Sequence, residues 1–254
     1  MGRWPLTSRG ARGYYEGVIV FLALALALLP PSHAADIAAP LAETPIAALP
    51  VVPAQALGLS GMAWLNNAAT LCGAALPALG RGDFGAVYAH PAQPAWVVKI
   101  AADGFGAPNQ RGRSQMTRDM LAEAAASRAL ADAQAGPRLI AVTRIPHRLQ
   151  PFLDQMAGWF GARAPDWSRP ALVKERVIGS TLGELRRAGK RTAVHDALAG
   201  DLKARLRTAG LAVSDMHDEN VMIGVTASQA EARAYLVDAG SVRGLTTTSP
   251  APTP

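Results

Sequence analysis

Hydrophobic and polar positions change their period several times along the chain. The first pattern is an uninterrupted apolar run, Val18–Leu29, preceded by Arg3, Arg9 and Arg12 and followed by Pro30, Pro31, Ser32 and Ala34. A basic stretch, a short apolar core and small residues before a cut at Ala35 read as a secretory signal over residues 1–34. The run is shorter than the roughly 20 residues that span a bilayer, so no stable span is expected after cleavage. The alternative is an uncleaved anchor that uses a longer, tilted stretch. From about residue 35 to Gly58 alanine dominates, and Pro40, Pro45, Pro50 and Pro53 interrupt any helix or inner strand, which predicts an extended linker. A short helix near 62–76 is expected to open the folded part. Alternating stretches then predict strands at "FGAVYAH" and "AWVVKIA", split by "PAQP". Residues 114–134, filled with alanine, leucine and methionine and stopped by Gly136-Pro137, predict a helix. Further strands are expected at "RLIAVTRI" and "ALVKERVI". Helices follow at "STLGELRRAG", with Ser180 or Thr181 as N-cap, and at "TAVHDALAGDLKARLRTAG". A hairpin of "NVMIGV" and "AYLVDAG" closes the pattern, and the tail 245–254 is low-complexity. This order places the fold in the α+β class, with two lobes and a crevice between them, over residues 59–244.

Composition changes this picture little. The 254 residues are half hydrophobic, enough for a core, and the formal charge is +6. The basic residues are scattered without interleaved aromatics, which excludes an obvious nucleic-acid surface. The one cysteine, Cys72, rules out an intramolecular disulfide and a cysteine-based zinc site, and its apolar neighbours predict a buried small hydrophobe.

The candidate chemistry lies in five segments. "LGRGDFGAVYAH" carries Gly80, Gly82, Gly85 and Val87 in a G-x-G-x-x-G-x-V pattern, weak by itself in a chain with 24 glycines. Lys99 follows in "WVVKI", where Val97, Val98 and Ile100 predict a mostly buried strand and a charge that needs a partner. In the helix at 114–134, Glu123 is the candidate partner and Asp119, one turn earlier, competes with it. In "LAVSDMHDENVMI", Asp215 can accept a hydroxyl proton, and Asn220, five residues on, can offer its amide oxygen to magnesium. Asp238, at the end of the strand in "YLVDAGS", faces the crevice as a divalent-metal ligand. Asp238 and Asn220 would bracket one or two Mg2+ ions from the two ends of a hairpin.

The order glycine loop, strand lysine, helix glutamate, Asp-x-x-x-x-Asn, Asp-x-Gly resembles the protein-kinase-like superfamily over roughly residues 76–243. That resemblance implies a small five-stranded antiparallel N-lobe and a reduced helical C-lobe. It also implies ATP and Mg2+ as cofactors, with Gly80, Gly82 and Gly85 covering the phosphates. Lys99, paired with Glu123, would contact the α- and β-phosphates, Asp215 would be the catalytic carboxylate, and Asn220 and Asp238 the metal ligands. "LVKERVIGSTLGEL" looks like the hinge, with backbone groups of Glu175 and Val177 offered to adenine and Lys174 at the gatekeeper position. The departures are specific. Val213-Ser214 stand where such kinases have His-Arg, His217 replaces a lysine, and Ala239 replaces a phenylalanine. Fourteen residues follow Gly240, leaving no room for an activation segment. The reduction resembles minimal effector kinases that bacteria deliver into host cells, the OspG and HopBF types. An exported protein kinase that acts on a host protein is therefore expected. A small-molecule phosphotransferase, which "D-M-H-x-x-N" resembles more closely, and a nucleotide-binding pseudokinase are the alternatives.

Overall fold

The computed structural model describes residues 51–65, 68–82, 85–101, 110–164, 166–240 and 242–244, with the side chains of 110–119, 243 and 244 excepted. The signal over 1–34, most of the linker and the tail 245–254 lie outside the described residues. The last stretch of the Ala/Pro-rich segment packs onto the fold: Val51 bridges Val142, the Val52 N–H donates to the Val142 carbonyl at 2.8 Å, and Leu59 is buried. The expected helix near 62–76 is instead a small antiparallel meander of β1 (Met62–Leu65), β2 (Ala68–Leu71) and β3 (Ala74–Ala75). The period explains this, because Met62 and Trp64 point inward in alternation. Cys72 sits at the β2–β3 corner with φ 50° and is exposed, not buried as its apolar neighbours predicted.

The main sheet is antiparallel throughout. Its members are β4 (Ala78–Gly82), β5 (Gly85–Ala89), β6 (Trp96–Ala101), β7 (Leu139–Ile145) and β8 (Arg169–Glu175), in the order β4-β5-β6-β8-β7. Strand alternation divides its side chains. Val98, Ile100, Ala171 and Val173 join Tyr88, Met62 and Trp64 in a core under the meander. Leu172, with Ala101 and Val142, packs against Met120 and Ala124 of the long helix α1 (Gln110–Asp132). Between β7 and β8 an unforeseen helix, α2 (Gln150–Trp159), starts with Pro151 in its first turn and buries Met156.

At Arg176-Val177 the chain leaves the main sheet. It enters β9 (Ile178–Thr181), α3 (Leu182–Arg187) and α4 (Ala193–Thr208), then returns as β10 (Leu211–Val213), β11 (Val221–Thr226), β12 (Gln229–Leu236) and β13 (Val242–Gly244). The stretch 171–178, read from its apolar pattern as one strand, is thus two strands in two sheets. Thr181 is the N-cap of α3, in a reciprocal capping box with Glu184 that satisfies two end N–H groups. Leu182, Leu202, Leu206, Val221, Ile223, Leu236 and Val242 form the second core, and Leu130 near the end of α1 reaches into it. One helix therefore touches both the main sheet and the C-terminal elements, and the candidate residues collect along it.

Candidate active site

Burial and alternation set the centre of the site. Lys99 in β6 stands on the same face as its cross-strand partners Val87 and Leu172, under α1. It is 7% exposed, so its ammonium has almost no water to solvate it. Its Nζ lies 2.8 Å from both carboxylate oxygens of Glu123 and 3.3 Å from Asp238 Oδ1. Burial opposes the Lys99 charge, but the carboxylates of Glu123 and Asp238 outweigh it and hold its pKa above the ordinary lysine value. Burial likewise works against the Asp238 charge, yet Lys99 and the Gly240 N–H, which donates to Oδ1 at 3.0 Å, bring its pKa below the usual value. Lys174 completes the group, with its Nζ donating to Glu123 Oε1 at 3.0 Å. Sequence reasoning placed Lys174 only by analogy and missed this ion pair. The side chain of Asp119, the competing partner, lies outside the described residues.

Two short ladders bring the catalytic-loop candidates to this centre. Val213 pairs with Val242 at the outer end, and Val221 pairs with Leu236 at the inner end. The segments 214–220 and 237–240 must therefore run side by side. The Val237 N–H donates to the Asn220 carbonyl at 3.0 Å, directly before Asp238. Asn220 Nδ2 donates to the Asp215 carbonyl at 3.1 Å, which commits the amide nitrogen and leaves the amide oxygen as the free face of that side chain. His217 Nδ1 accepts from the Glu219 N–H at 3.2 Å, so in the neutral ring the proton belongs on Nε2, which stands 3.6 Å from Asp215 Oδ1. Asp215 and His217 are both exposed, open to an acceptor from solvent.

The β4–β5 hairpin carries the glycine pattern. Gly80 pairs with Val87 and Gly82 with Gly85, and the tip residues 83 and 84 lie outside the described residues. The three glycines are not equivalent. Among the described residues nothing stands within 4 Å of a Cβ built on Gly80 or Gly82, whereas on Gly85, with φ 155°, it would meet the Ile100 carbonyl oxygen at 2.3 Å. Gly85→Ala is expected to cost about 1–3 kcal/mol of stability through this backbone clash. Gly80→Ala and Gly82→Ala are expected to be near neutral. Urea denaturation of the three variants checks the ranking.

Residues 174–177 lie where the chain passes between sheets. Val177 is buried, and the Arg176 N–H donates to the Ala95 carbonyl at 2.7 Å. The Glu175 carboxylate is occupied by the Ser228 N–H and hydroxyl at 2.6 and 2.8 Å and its N–H by the Arg138 carbonyl at 2.8 Å, so its own carbonyl is the group left for binding.

A clamp on the loop from Asp215 to Asn220 escaped the sequence reading. Asp218 binds Arg186 at 3.1 Å and Arg191 at 2.8 Å, and its carbonyl accepts from the Gly183 N–H. Glu219 binds Arg187 and accepts from the Thr181 hydroxyl at 3.2 Å. This loop is thus tied to Arg186 and Arg187 of α3 and to Arg191 just beyond it. A Cβ on Gly183 would come within 2.0 Å of Glu219 Oε1. Gly183→Ala should push that flexible side chain off Arg187 and displace the loop. Exposed ion pairs contribute only about 0–1 kcal/mol, so stability should barely change. Turnover should fall roughly tenfold, since small misplacements are costly in catalysis. Single-turnover assays beside urea denaturation separate the two effects.

Among the described residues, no group of three or more His, Cys, Asp or Glu side chains is arranged to hold a metal ion. The oxygen donors Asp238 and Asn220 suit Mg2+ held jointly with phosphate oxygens and water, since Mg2+ commonly takes only one or two protein carboxylates.

No family model and no curated protein matches the sequence. Among solved structures, the chain is similar to the "Co-crystal structure of WbdD and kinase inhibitor LY294002", with 16% identity and a TM-score of 0.42. The alignment covers 74% of this chain and 36% of that one, so this chain spans little more than a third of its length.

Proposed function

We propose that the chain is a reduced, two-lobed, kinase-like phosphotransferase that uses ATP and Mg2+ to phosphorylate a hydroxyl group, with a host-cell protein as its acceptor. The observation that carries this reading is the buried Lys99, held between Glu123 and Asp238 on the strand that pairs with β5 of the glycine hairpin. A buried ammonium with two carboxylate partners can be released toward an anionic ligand without losing its charge. Lys99 would bind α- and β-phosphate oxygens under Gly80, Gly82 and Gly85, beside Val87, while the backbone of Glu175 and Val177 holds the adenine edge. Asp215 would accept the acceptor's hydroxyl proton as its oxygen bonds to the γ-phosphorus and the bond to the bridging oxygen of ADP breaks. His217 would steady the γ-phosphate by turning its Nε2 proton from Asp215 to a phosphate oxygen. Asn220 and Asp238 would hold Mg2+, which neutralises charge on the phosphates when bound. Transfer rests mainly on such positioning and charge neutralisation, which suits a site with few groups.

The pairing of His217 with Asp215 in "D-M-H-x-x-N" favours a second reading, transfer to a small molecule. The full chain incubated with γ-labelled ATP and Mg2+ decides between them. Host-cell extract forms one arm, and aminoglycoside, choline and sugar acceptors form the other. Label on protein supports the first reading and label on a small molecule the second. Nucleotide binding without transfer supports a pseudokinase that acts as a binding module. No binding at all overturns the assignment. The apolar run Val18–Leu29 supports export from the producing cell as part of this reading. Among the described residues, no helix is long and apolar enough to cross a membrane.

A further inference from the structure

The unusual feature of the centre is its second lysine. Strand alternation in β8 turns Leu172 and Lys174 toward α1, and Lys174 lies across from Val97, two residues from Lys99 on the neighbouring strand. Lys174 is 4% exposed and Glu123 3%, so neither finds water. Glu123 Oε1 accepts from both ammonium groups, and Oε2, among the described residues, from Lys99 alone. Two lysines and two carboxylates, Glu123 and Asp238, make the group neutral when all four are ionised.

This count bears on what happens when Lys99 engages an anion. If Lys99 were the sole partner of Glu123, each turn toward a phosphate would strand a buried carboxylate, and breaking a buried pair in that way is strongly unfavourable. With Lys174 in place, Glu123 keeps a partner on Oε1; burial lowers the Lys174 pKa, the Glu123 carboxylate opposes that shift, and departure of the Lys99 ammonium removes a charge that adds to it. We propose that Lys174 is a positioning residue: it holds Glu123 from the middle of the sheet so that Lys99 is free to leave one carboxylate oxygen for the nucleotide's phosphates. Lys174 itself touches neither substrate nor metal. The inference rests on the phosphotransferase reading above and adds to it how the phosphate-binding lysine is released.

Binding of ATP and of adenosine to the full chain tests this, measured by calorimetry with EDTA present so that no metal contributes. Lys174→Met keeps the length and apolar stem of the side chain and removes its charge. ATP affinity is expected to fall about tenfold or more, while adenosine, which has no phosphate to draw Lys99 away, binds as before. In a Glu123→Gln background there is no buried anion to strand, so adding Lys174→Met should cost ATP affinity little further. That non-additivity is what a purely structural role would not produce. Thermal unfolding of each variant confirms that the folded chain is being titrated. Equal ATP affinity in wild type and Lys174→Met overturns the inference and leaves the phosphotransferase reading intact. Parallel loss of ATP and adenosine binding, or full additivity with Glu123→Gln, also overturns it, because either marks damage to packing. A wild-type chain that binds neither ligand overturns both.

Discussion

Asp238→Ala is expected to abolish phosphoryl transfer and to weaken Mg·ATP binding together, whereas Asp215→Ala is expected to cut turnover and spare nucleotide affinity. The two carboxylates differ in surroundings. Asp238 is partly buried, bound on Oδ1 by Lys99 and by the Gly240 N–H, and adjacent to Asn220 through the Val237 hydrogen bond. Its removal takes away a proposed metal ligand and also a partner that holds Lys99. Asp215 is exposed, with His217 as its nearest ionisable neighbour, and makes no bond to Lys99 or Asp238 among the described residues. A positioned general base typically contributes 10²–10⁴-fold, so kcat should fall by about that factor with KM for ATP near its wild-type value. Steady-state kinetics with varied ATP, beside direct Mg·ATP binding, separates the roles. If Asp215→Ala loses nucleotide and Asp238→Ala keeps it, the assignments are reversed.

Glu123→Ala is expected to be the most destabilising single substitution at the site. Among the described residues it leaves Lys99 with only Asp238 at 3.3 Å and Lys174 with no carboxylate in hydrogen-bond reach, both ammonium groups being buried. Breaking a buried ionic group by removing one partner costs about 3–5 kcal/mol. For a domain of this size that corresponds to a fall in Tm of roughly 10 °C. The triple variant Lys99→Met, Glu123→Leu, Lys174→Met replaces the three buried members of the group with apolar side chains of similar length and leaves only the partly exposed Asp238 charged. Such replacement is often neutral or stabilising, so the triple variant should recover most of the lost stability while transferring no phosphate. Calorimetric unfolding of the two proteins reads this directly. Equal instability in both would mean that the cost lies in packing volume, not in stranded charge.

Elements defined by a local period are legible in the amino-acid sequence alone. The alternation of "AWVVKIA" predicts β6 and the inward setting of Lys99. The alanine-rich stretch ended by Gly136-Pro137 predicts the C-terminal part of α1, and Thr181, one of the two caps considered, is the one used. Other elements have ambiguous periods. The alanine content of 62–76 reads as helical, yet Met62 and Trp64 follow a period of two because the outer face of the main sheet needs covering. Helix α2 is short and contains Pro151 and Gly158, so its propensity is poor, and it is held by the burial of Met156.

By itself, then, the sequence determined which side chains carry charge in apolar surroundings and which strand or helix bears each of them, because neighbours within a few residues decide those matters. Lys99 needed a partner whatever the topology, and Asp-x-x-x-x-Asn before an apolar strand meant a polar loop in any fold. Only the tertiary structure decided who meets whom. Lys174 and Glu123 are 51 residues apart, Lys99 and Asp238 are 139 apart, and the arginines that hold Asp218 and Glu219 are 27 to 32 residues from them. No local period encodes such pairings. They follow from strand order, from the β10–β13 and β11–β12 ladders that set two loops side by side, and from one helix shared between two cores. Burial makes those meetings obligatory, since a charge removed from water is stable only where the fold supplies its opposite.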